Sequence, residues 1–278
     1  MSEQSETEQR VGQHYARVDL EHAILDALAA SGKDIDRLTP ADLSPVDEFH
    51  TGGRQATVEL AGQVDFKPGM HLLDIGCGIG GPSRFFAETQ NCRVTGIDLT
   101  ADYVRAAAAL AERVGLAGRV SYRQASALAL PFEAGTFDGA YMMHVGMNIR
   151  DKARLFAEVR RVLKSASPFA IYDMMKTGEG ELSFPLHWAN TAQTSFVDSV
   201  AAYRRALEAG GFEVVKERNR REFARQAFGE AQARAAAGPS PLGLHILMKT
   251  DVAQKLANVV ANLERGLIAP VELVCRAR

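Results

Sequence analysis

The sequence predicts an α/β fold: a mostly parallel sheet with helices on both of its faces. Three observations predict it. Seven strand-like runs alternate with helix-like runs along most of the 278 residues, and strand–helix–strand passages close as right-handed crossovers that lay helices over a parallel sheet. A glycine run, Gly76-Cys77-Gly78-Ile79-Gly80-Gly81, stands where the first of those strands gives way to a helix. The hydrophobic fraction is 46%, enough to fill one sizeable core.

The elements follow from periodicity. Residues 1–10 are polar and acidic and read as a disordered tail. From residue 11 to 30, Val18, Ile24, Leu25 and Leu28 recur at helical spacing until Ser31-Gly32 stops the run. Residues 33–54, with Pro40 and Pro45, read as loop, and residues 55–64 as a short helix. Strands are predicted at 70–75, 92–98, 119–124, 136–143 and 168–174, with helices at 81–89, 101–114 and 151–164 between them. Leu155, Val159, Val162 and Leu163 form one apolar stripe in the last of these helices. A helix at 199–209 is stopped by Gly210-Gly211, and strands follow at 212–217 and 271–277. The stretch between those strands, about 219–267, reads as a helical insertion, helical at 221–237, turned by Pro239 and Pro241, and helical again at 252–265. The chain thus divides into an N-terminal helical extension or lid, 1–54, and a main domain, 55–278.

Charge and composition exclude several functions. The net charge is −2 and no long basic run occurs, which argues against nucleic acid or an anionic membrane as partner. No apolar run approaches the roughly 18 residues that a membrane span requires. The N-terminus lacks the basic-then-apolar order of a secretory signal, so a cytoplasmic location is expected. Cys77, Cys92 and Cys275 are widely separated, without metal-ligand spacing, and no metal is expected. These features leave a small molecule as substrate. The oligomeric state, a homodimer among the options, is left open.

Chemistry concentrates at the carboxyl ends of the predicted strands, where open parallel sheets bind ligands. Gly76, Gly78 and Gly80 permit positive φ and close approach of a ligand to bare backbone. The helix after them offers unpaired N–H groups and a positive dipole end, where an anionic part of the ligand is expected. Gly76, Gly78 and Gly81 also satisfy a dinucleotide G-x-G-x-x-G pattern, a weak signal alone. Asp74, two residues before the loop, would oppose a pyrophosphate but suits an ammonium. Asp98 ends the next strand, where a carboxylate accepts both hydroxyls of a ribose.

Residues 72–81 (Leu-Leu-Asp-Ile-Gly-Cys-Gly-Ile-Gly-Gly), Asp98, residues 126–132 (Ser-Ala-Leu-Ala-Leu-Pro-Phe) and residues 137–144 (Phe-Asp-Gly-Ala-Tyr-Met-Met-His) together resemble the class I S-adenosylmethionine-dependent methyltransferases. The flavour is that of the ubiquinone/menaquinone C-methyltransferases and the sarcosine/dimethylglycine N-methyltransferases, over roughly residues 47–175. The resemblance implies a Rossmann-like sheet of seven strands, the last antiparallel, and S-adenosyl-L-methionine as cofactor. It implies that Asp74, Gly76, Gly78 and Gly80 hold the methionine part and that Asp98, with Leu99, holds the ribose. Ser126 and Ala127 would face the adenine, where the family's Gly-Asp-Ala is replaced by Ala125-Ser126-Ala127. The segment 47–54, with His50 and Thr51, resembles the part of the family that crosses the methionine end.

A sulfonium methyl is a strong electrophile, so the protein must align nucleophile, methyl and sulfur and exclude water, with at most one general base. His144, just after the fourth strand, is the candidate base. His187, Trp188 and His245 are expected near the substrate, Trp188 as an aromatic wall or as packing. Tyr15 reads better as an ordinary helix-face aromatic than as a lid, and Met142, Met143 and Met147 as packing. Asp138, at the amino end of its strand, reads as structural. Two other readings stay open at this point: an NAD(P)-dependent oxidoreductase, and an S-adenosylmethionine-binding protein without catalysis.

Overall fold

The computed structural model describes residues 3–17, 19–236, 238, 240–248 and 250–278, the side chains of 3–5 excepted. Seven strands form one sheet in the order β3-β2-β1-β4-β5-β7-β6. These are β1 His71–Ile75, β2 Arg93–Asp98, β3 Val120–Gln124, β4 Gly139–Met143, β5 Pro168–Lys176, β6 Phe212–Asn219 and β7 Ile268–Ala277. Pairings among β1 to β5 are parallel, whereas β7 runs antiparallel between β5 and β6. The expected architecture is therefore present, antiparallel last strand included.

Side chains alternate across the sheet with period two. Leu73, Ile75, Ala140, Met142, Phe169 and Ile171 point to one face. There they meet Leu155, Phe156, Val159 and Val162 of α7 (Lys152–Val162) and Tyr203 and Leu207 of α8 (Val200–Ala209). Leu72, Tyr141, Ala170 and Tyr172 point to the other face, against Phe85 and Phe86 of α5 (Gly81–Thr89) and Ala56 and Leu60 of α4 (Gly53–Ala61). Helix α6 (Ala101–Arg113) lies beyond, packing Tyr103, Ala106 and Leu110 on α2 (Leu20–Ala30) and α3 (Pro40–Asp47).

The N-terminal region departs from the sequence reading. Residues 3–15 are helix α1 (Glu3–Tyr15) rather than a tail. Its polar composition hides it, because its contacts are tertiary: Glu8 bonds Ser126, the His14 ring lies 2.8 Å from the His187 carbonyl, and the Tyr15 hydroxyl bonds Asn148 at 3.4 Å. The expected helix from residue 11 to 30 is two helices broken before Leu20; Val18 lies outside the described residues. The loop expected at 33–54 contains α3. Pro40 occupies its first turn, where a missing N–H costs nothing, and the Thr39 N–H donates to Asp42 at 2.9 Å. Pro45 cannot donate to the Ala41 carbonyl, and the Ser44 hydroxyl does so instead, at 2.9 Å.

Between β6 and β7, α9 (Arg221–Ala236) and α10 (Val252–Glu264) form the helical insertion; Ala237 and Pro239 lie outside the described residues. Phe228 of α9 and Val259 of α10 pack with Met147, Met174 and Trp188 over the carboxyl edge of the sheet. Among the described residues, no helix is long and apolar enough to cross a membrane.

Candidate active site

A cavity of about 1280 Å³ opens at the carboxyl ends of β1, β2, β3 and β4, roofed by α1, α3 and the insertion. The glycine loop forms its floor. Gly76, Gly78 and Gly80 all have positive φ, at 70°, 53° and 84°, but for different reasons. A Cβ at Gly76 would fall 2.4 Å from Val145, and one at Gly80 would fall 2.3 Å from the Tyr122 hydroxyl. A Cβ at Gly78 would meet no protein atom within 4 Å. Gly78 is thus the position where bare backbone faces the cavity, and Gly80 lies off the cavity lining. The start of α5, where a ligand anion was expected, is closely covered: a Cβ at Gly81 would fall 2.2 Å from the Asp47 carbonyl.

Asp98 fixes this loop. One carboxylate oxygen accepts the Gly78 N–H at 3.0 Å and the other accepts the Thr100 N–H at 2.8 Å. Each oxygen has a further lone pair for a ligand hydroxyl. Asp74 is buried and accepts the Ser83 hydroxyl at 2.6 Å. Burial pushes its carboxyl up to about 7, so an ammonium ligand would be matched by a carboxylate short of counter-charge. Leu99 lines the cavity beside Asp98, its carbonyl held by Gln124 at 3.0 Å. Ser126 and Ala127 line it after β3. The Ser126 hydroxyl bonds Glu8 of α1 and accepts the Leu128 N–H at 3.0 Å, so a carboxylate from the N-terminal helix stands beside the position where the resemblance implies an acidic side chain.

Across the cavity lies the segment 47–54. The Arg84 guanidinium donates to Asp47 at 2.7 Å, both groups being buried, and this pair ties α3 to α5. The Thr51 carbonyl accepts the Tyr172 hydroxyl at 2.9 Å. His50 is buried, 3.1 Å from both the Gly53 carbonyl and the Thr57 hydroxyl, and burial lowers its pKa to about 4. Its ring centroid lies 6.1 Å from that of His144. His144 adopts φ 55°, and its N–H donates to the Tyr172 carbonyl at 2.7 Å. Its Nε2 is buried without a hydrogen-bond partner among the described residues. Burial and the two neighbouring histidines hold its pKa well below 6.5.

The group that sequence reasoning missed is Glu48. It is buried and lines the cavity, and one oxygen accepts the Thr57 hydroxyl at 2.7 Å. Its other oxygen, Oε1, has no partner among the described residues. Burial, then the Asp47 charge, raises its pKa well above the usual carboxylate range. No motif marks it; the sole signal was an acidic residue next to His50 in a segment expected to cross the site.

One side of the lining is apolar. Met147, Met174, Trp188, Phe228 and Val259 form the far wall. Trp188 is buried and donates to the Ser195 hydroxyl at 3.0 Å. His187 and His245 reach the cavity as expected. Tyr15 does so as well, tilted against Phe49 and Tyr103, so it is a wall of the site and not merely a helix-face aromatic. Met142 is in the core under α7, while Met143 and Met147 line the cavity. Asp138 is structural, accepting the His71 N–H at 2.8 Å and the Lys164 ammonium at 2.5 Å.

Residues 73–171 match the family model described as a methyltransferase domain. The chain is 32% identical over 128 residues to methyltransferase phqN of Penicillium fellutanum, covering 46% of this chain and 39% of that protein. It is 33% identical over 118 residues to sterol 24-C-methyltransferase ERG6B of Gibberella zeae, covering 42% and 31%. The matched segment therefore spans between about a third and two fifths of these curated relatives. Among solved structures, the geranyl diphosphate C-methyltransferase of Streptomyces coelicolor A3(2), in complex with Mg2+, geranyl diphosphate and S-adenosyl-L-homocysteine, shares the fold at a TM-score of 0.73 and 16% identity over 98% of each chain. The [4+2]-cyclase SpnF shares it at 0.68 and 23%, over 97% of this chain and 95% of that one. Sheet order, glycine loop and family match converge on one segment: residues 73–171 carry a methyltransferase domain.

Proposed function

We propose that the protein transfers a methyl group from S-adenosylmethionine to a small, predominantly apolar acceptor. One observation carries the acceptor class. The cavity is larger than the roughly 300–1,000 Å³ of a single-ligand pocket, and the wall opposite the glycine loop is built of Met147, Met174, Trp188, Phe228 and Val259. Two molecules fit side by side, the second in apolar surroundings.

The residues present suit the cofactor. Gly78 offers open backbone, Asp98 two oxygens for a diol, and Asp74 a carboxylate for an ammonium. When bound, S-adenosylmethionine supplies a methyl group on a sulfonium, an electrophile needing no further activation. The protein then holds the acceptor in line and keeps water out; α1 and α3 are proposed as the lid that does so. Where the acceptor atom must lose a proton, the Oε1 of Glu48 receives it, because a carboxylate in apolar surroundings binds protons strongly. His144, expected from the sequence as the base, is proposed to orient the acceptor through its unpartnered Nε2. The sterol and geranyl diphosphate methyltransferases among the relatives and fold neighbours support an apolar acceptor.

The test pairs calorimetry with a methyl-transfer screen. S-adenosylhomocysteine should bind in the micromolar range or tighter, NAD should not, and mass spectrometry should find a gain of one methyl on an isoprenoid, sterol, polyketide or phenolic acceptor. Binding of NAD in place of S-adenosylhomocysteine would overturn the proposal. Cofactor binding with no methyl gained, while polar amines are methylated, would overturn the acceptor class.

A further inference from the structure

The main cavity has an annex of about 480 Å³, with Tyr15, Phe49, His187 and Trp188 as the common wall. Its charge is one-sided. Arg10, Arg17, Arg150 and Lys255 line it, and no Asp or Glu does so among the described residues. Lys255, on α10, is only 5% exposed. A buried ammonium without a counter-charge is costly, since the water it gave up is not replaced by an opposite charge. The arginines do not relieve it. Arg17 donates to the Leu247 and Ala16 carbonyls, and Arg10 to the Glu6 carbonyl; such partners orient a guanidinium but leave its charge intact. Arg150 lies over the Phe196 ring at 5.0 Å. The field reaches the main cavity, where burial first and the Lys255 ammonium second hold His187 at about 4.

We propose that the annex is an anion subsite of the acceptor pocket. It takes a carboxylate or phosphate borne by the acceptor, whose apolar body crosses the common wall into the main cavity toward Glu48 and His144. Guanidinium forks fit both oxyanions, and a buried lysine adds a point charge that pairs best with a desolvated one. The subsite fixes which end of a flexible apolar chain reaches the glycine loop, and so fixes the position of methylation. This inference rests on the methyltransferase reading for the word acceptor, but the anion preference itself is measurable without it.

Trp188 is the one tryptophan of the chain and stands in the common wall, so its fluorescence reports binding. Decanol, decanoate and decyl phosphate share a body and differ in head group. The expected result is at least about tenfold tighter binding of decanoate or decyl phosphate than of decanol, and the stronger of the two names the oxyanion. Lys255→Met should remove most of that advantage with decanol binding unchanged, and Lys255→Arg should keep it. Arg10→Ala, at an exposed position that does not threaten folding, should weaken the anionic probes by about two- to threefold. Equal binding of decanol and both anions by the wild-type protein would overturn the proposal. So would an undiminished preference in both Lys255→Met and Arg10→Ala. Calorimetry with S-adenosylhomocysteine on the same samples separates the two readings. Failure there with the anion preference intact removes the methyltransferase, not the subsite; the reverse pattern removes the subsite alone.

Discussion

The Gly78 N–H donates to the Asp98 carboxylate at 3.0 Å, so the end of β2 sets the shape of the loop after β1. The same carboxylate faces the cavity. Loss of Asp98 would therefore remove the proposed ribose contacts and loosen the loop at Gly78.

Asp98→Ala should weaken S-adenosylhomocysteine by at least about 100-fold, because each hydrogen bond to a charged group is worth about 1.5–3 kcal/mol. Asp98→Asn, which keeps one acceptor, should lose less. Isothermal calorimetry decides it; an unchanged affinity in Asp98→Ala would remove the ribose role.

Alanine at two glycines of the same loop should separate stability from binding. Gly78→Ala carries only the left-handed backbone penalty, about 1–2 kcal/mol, yet its methyl would stand in the cavity. Cofactor affinity should fall at least tenfold with a small change in thermal midpoint. Gly76→Ala adds a clash with Val145, 2.4 Å from the new Cβ, and should cost about 2–5 kcal/mol of stability. Equal unfolding midpoints in the two variants would contradict the assignment of Gly76 to packing.

Glu48 predicts opposite pH trends for rate and stability. As proton acceptor it must be ionised, so kcat/KM should rise with pH along a limb lying above the ordinary carboxylate range. Glu48→Gln should abolish that limb and lower kcat by about 10²–10⁴-fold. The folded state holds this proton more tightly than the unfolded chain does. Stability should therefore fall as pH rises from the usual carboxylate pKa toward the raised folded one, and Glu48→Gln should flatten that fall. Denaturant midpoints between pH 5 and 9 measure it.

The buried histidines act at the acid side. His50 and His187 have folded pKa values of about 4, against 6.5 in the unfolded chain. The unfolded state binds more protons between those values, so stability present above pH 6.5 should be lost progressively as pH falls toward 4. His187→Leu should shallow that loss. The Glu48 proton acts in the opposite sense over part of this range, so the comparison is between wild type and His187→Leu: an identical acid limb in the two would contradict the burial of His187.

Much of the frame was legible in the chain. The helix at residues 81–89 was read at the bounds it has, and the apolar stripe of Leu155, Val159, Val162 and Leu163 is fully buried. These elements carry strong periodicity, so local pattern and tertiary burial agree. Of the expected site residues, Asp74, Gly76, Gly78, Asp98, Ser126 and His144 meet at one cavity, because consecutive parallel strands bring their carboxyl ends to one edge. Gly80 does not, since its positive φ serves packing against Tyr122.

What the sequence by itself determined is the α/β sheet, the glycine loop with its two carboxylates, and the class of cofactor that such a loop serves. All three depend on residues close together in the chain or fixed by strand order. The tertiary structure decided the rest. Helix α1 exists through Glu8, His14 and Tyr15 meeting partners more than a hundred residues away. Glu48 becomes a proton-binding group only because folding removes its water, and Lys255 becomes part of an anion site only because α10 buries it beside α1. Desolvation and long-range juxtaposition leave no local periodicity, so no reading along the chain could have supplied them.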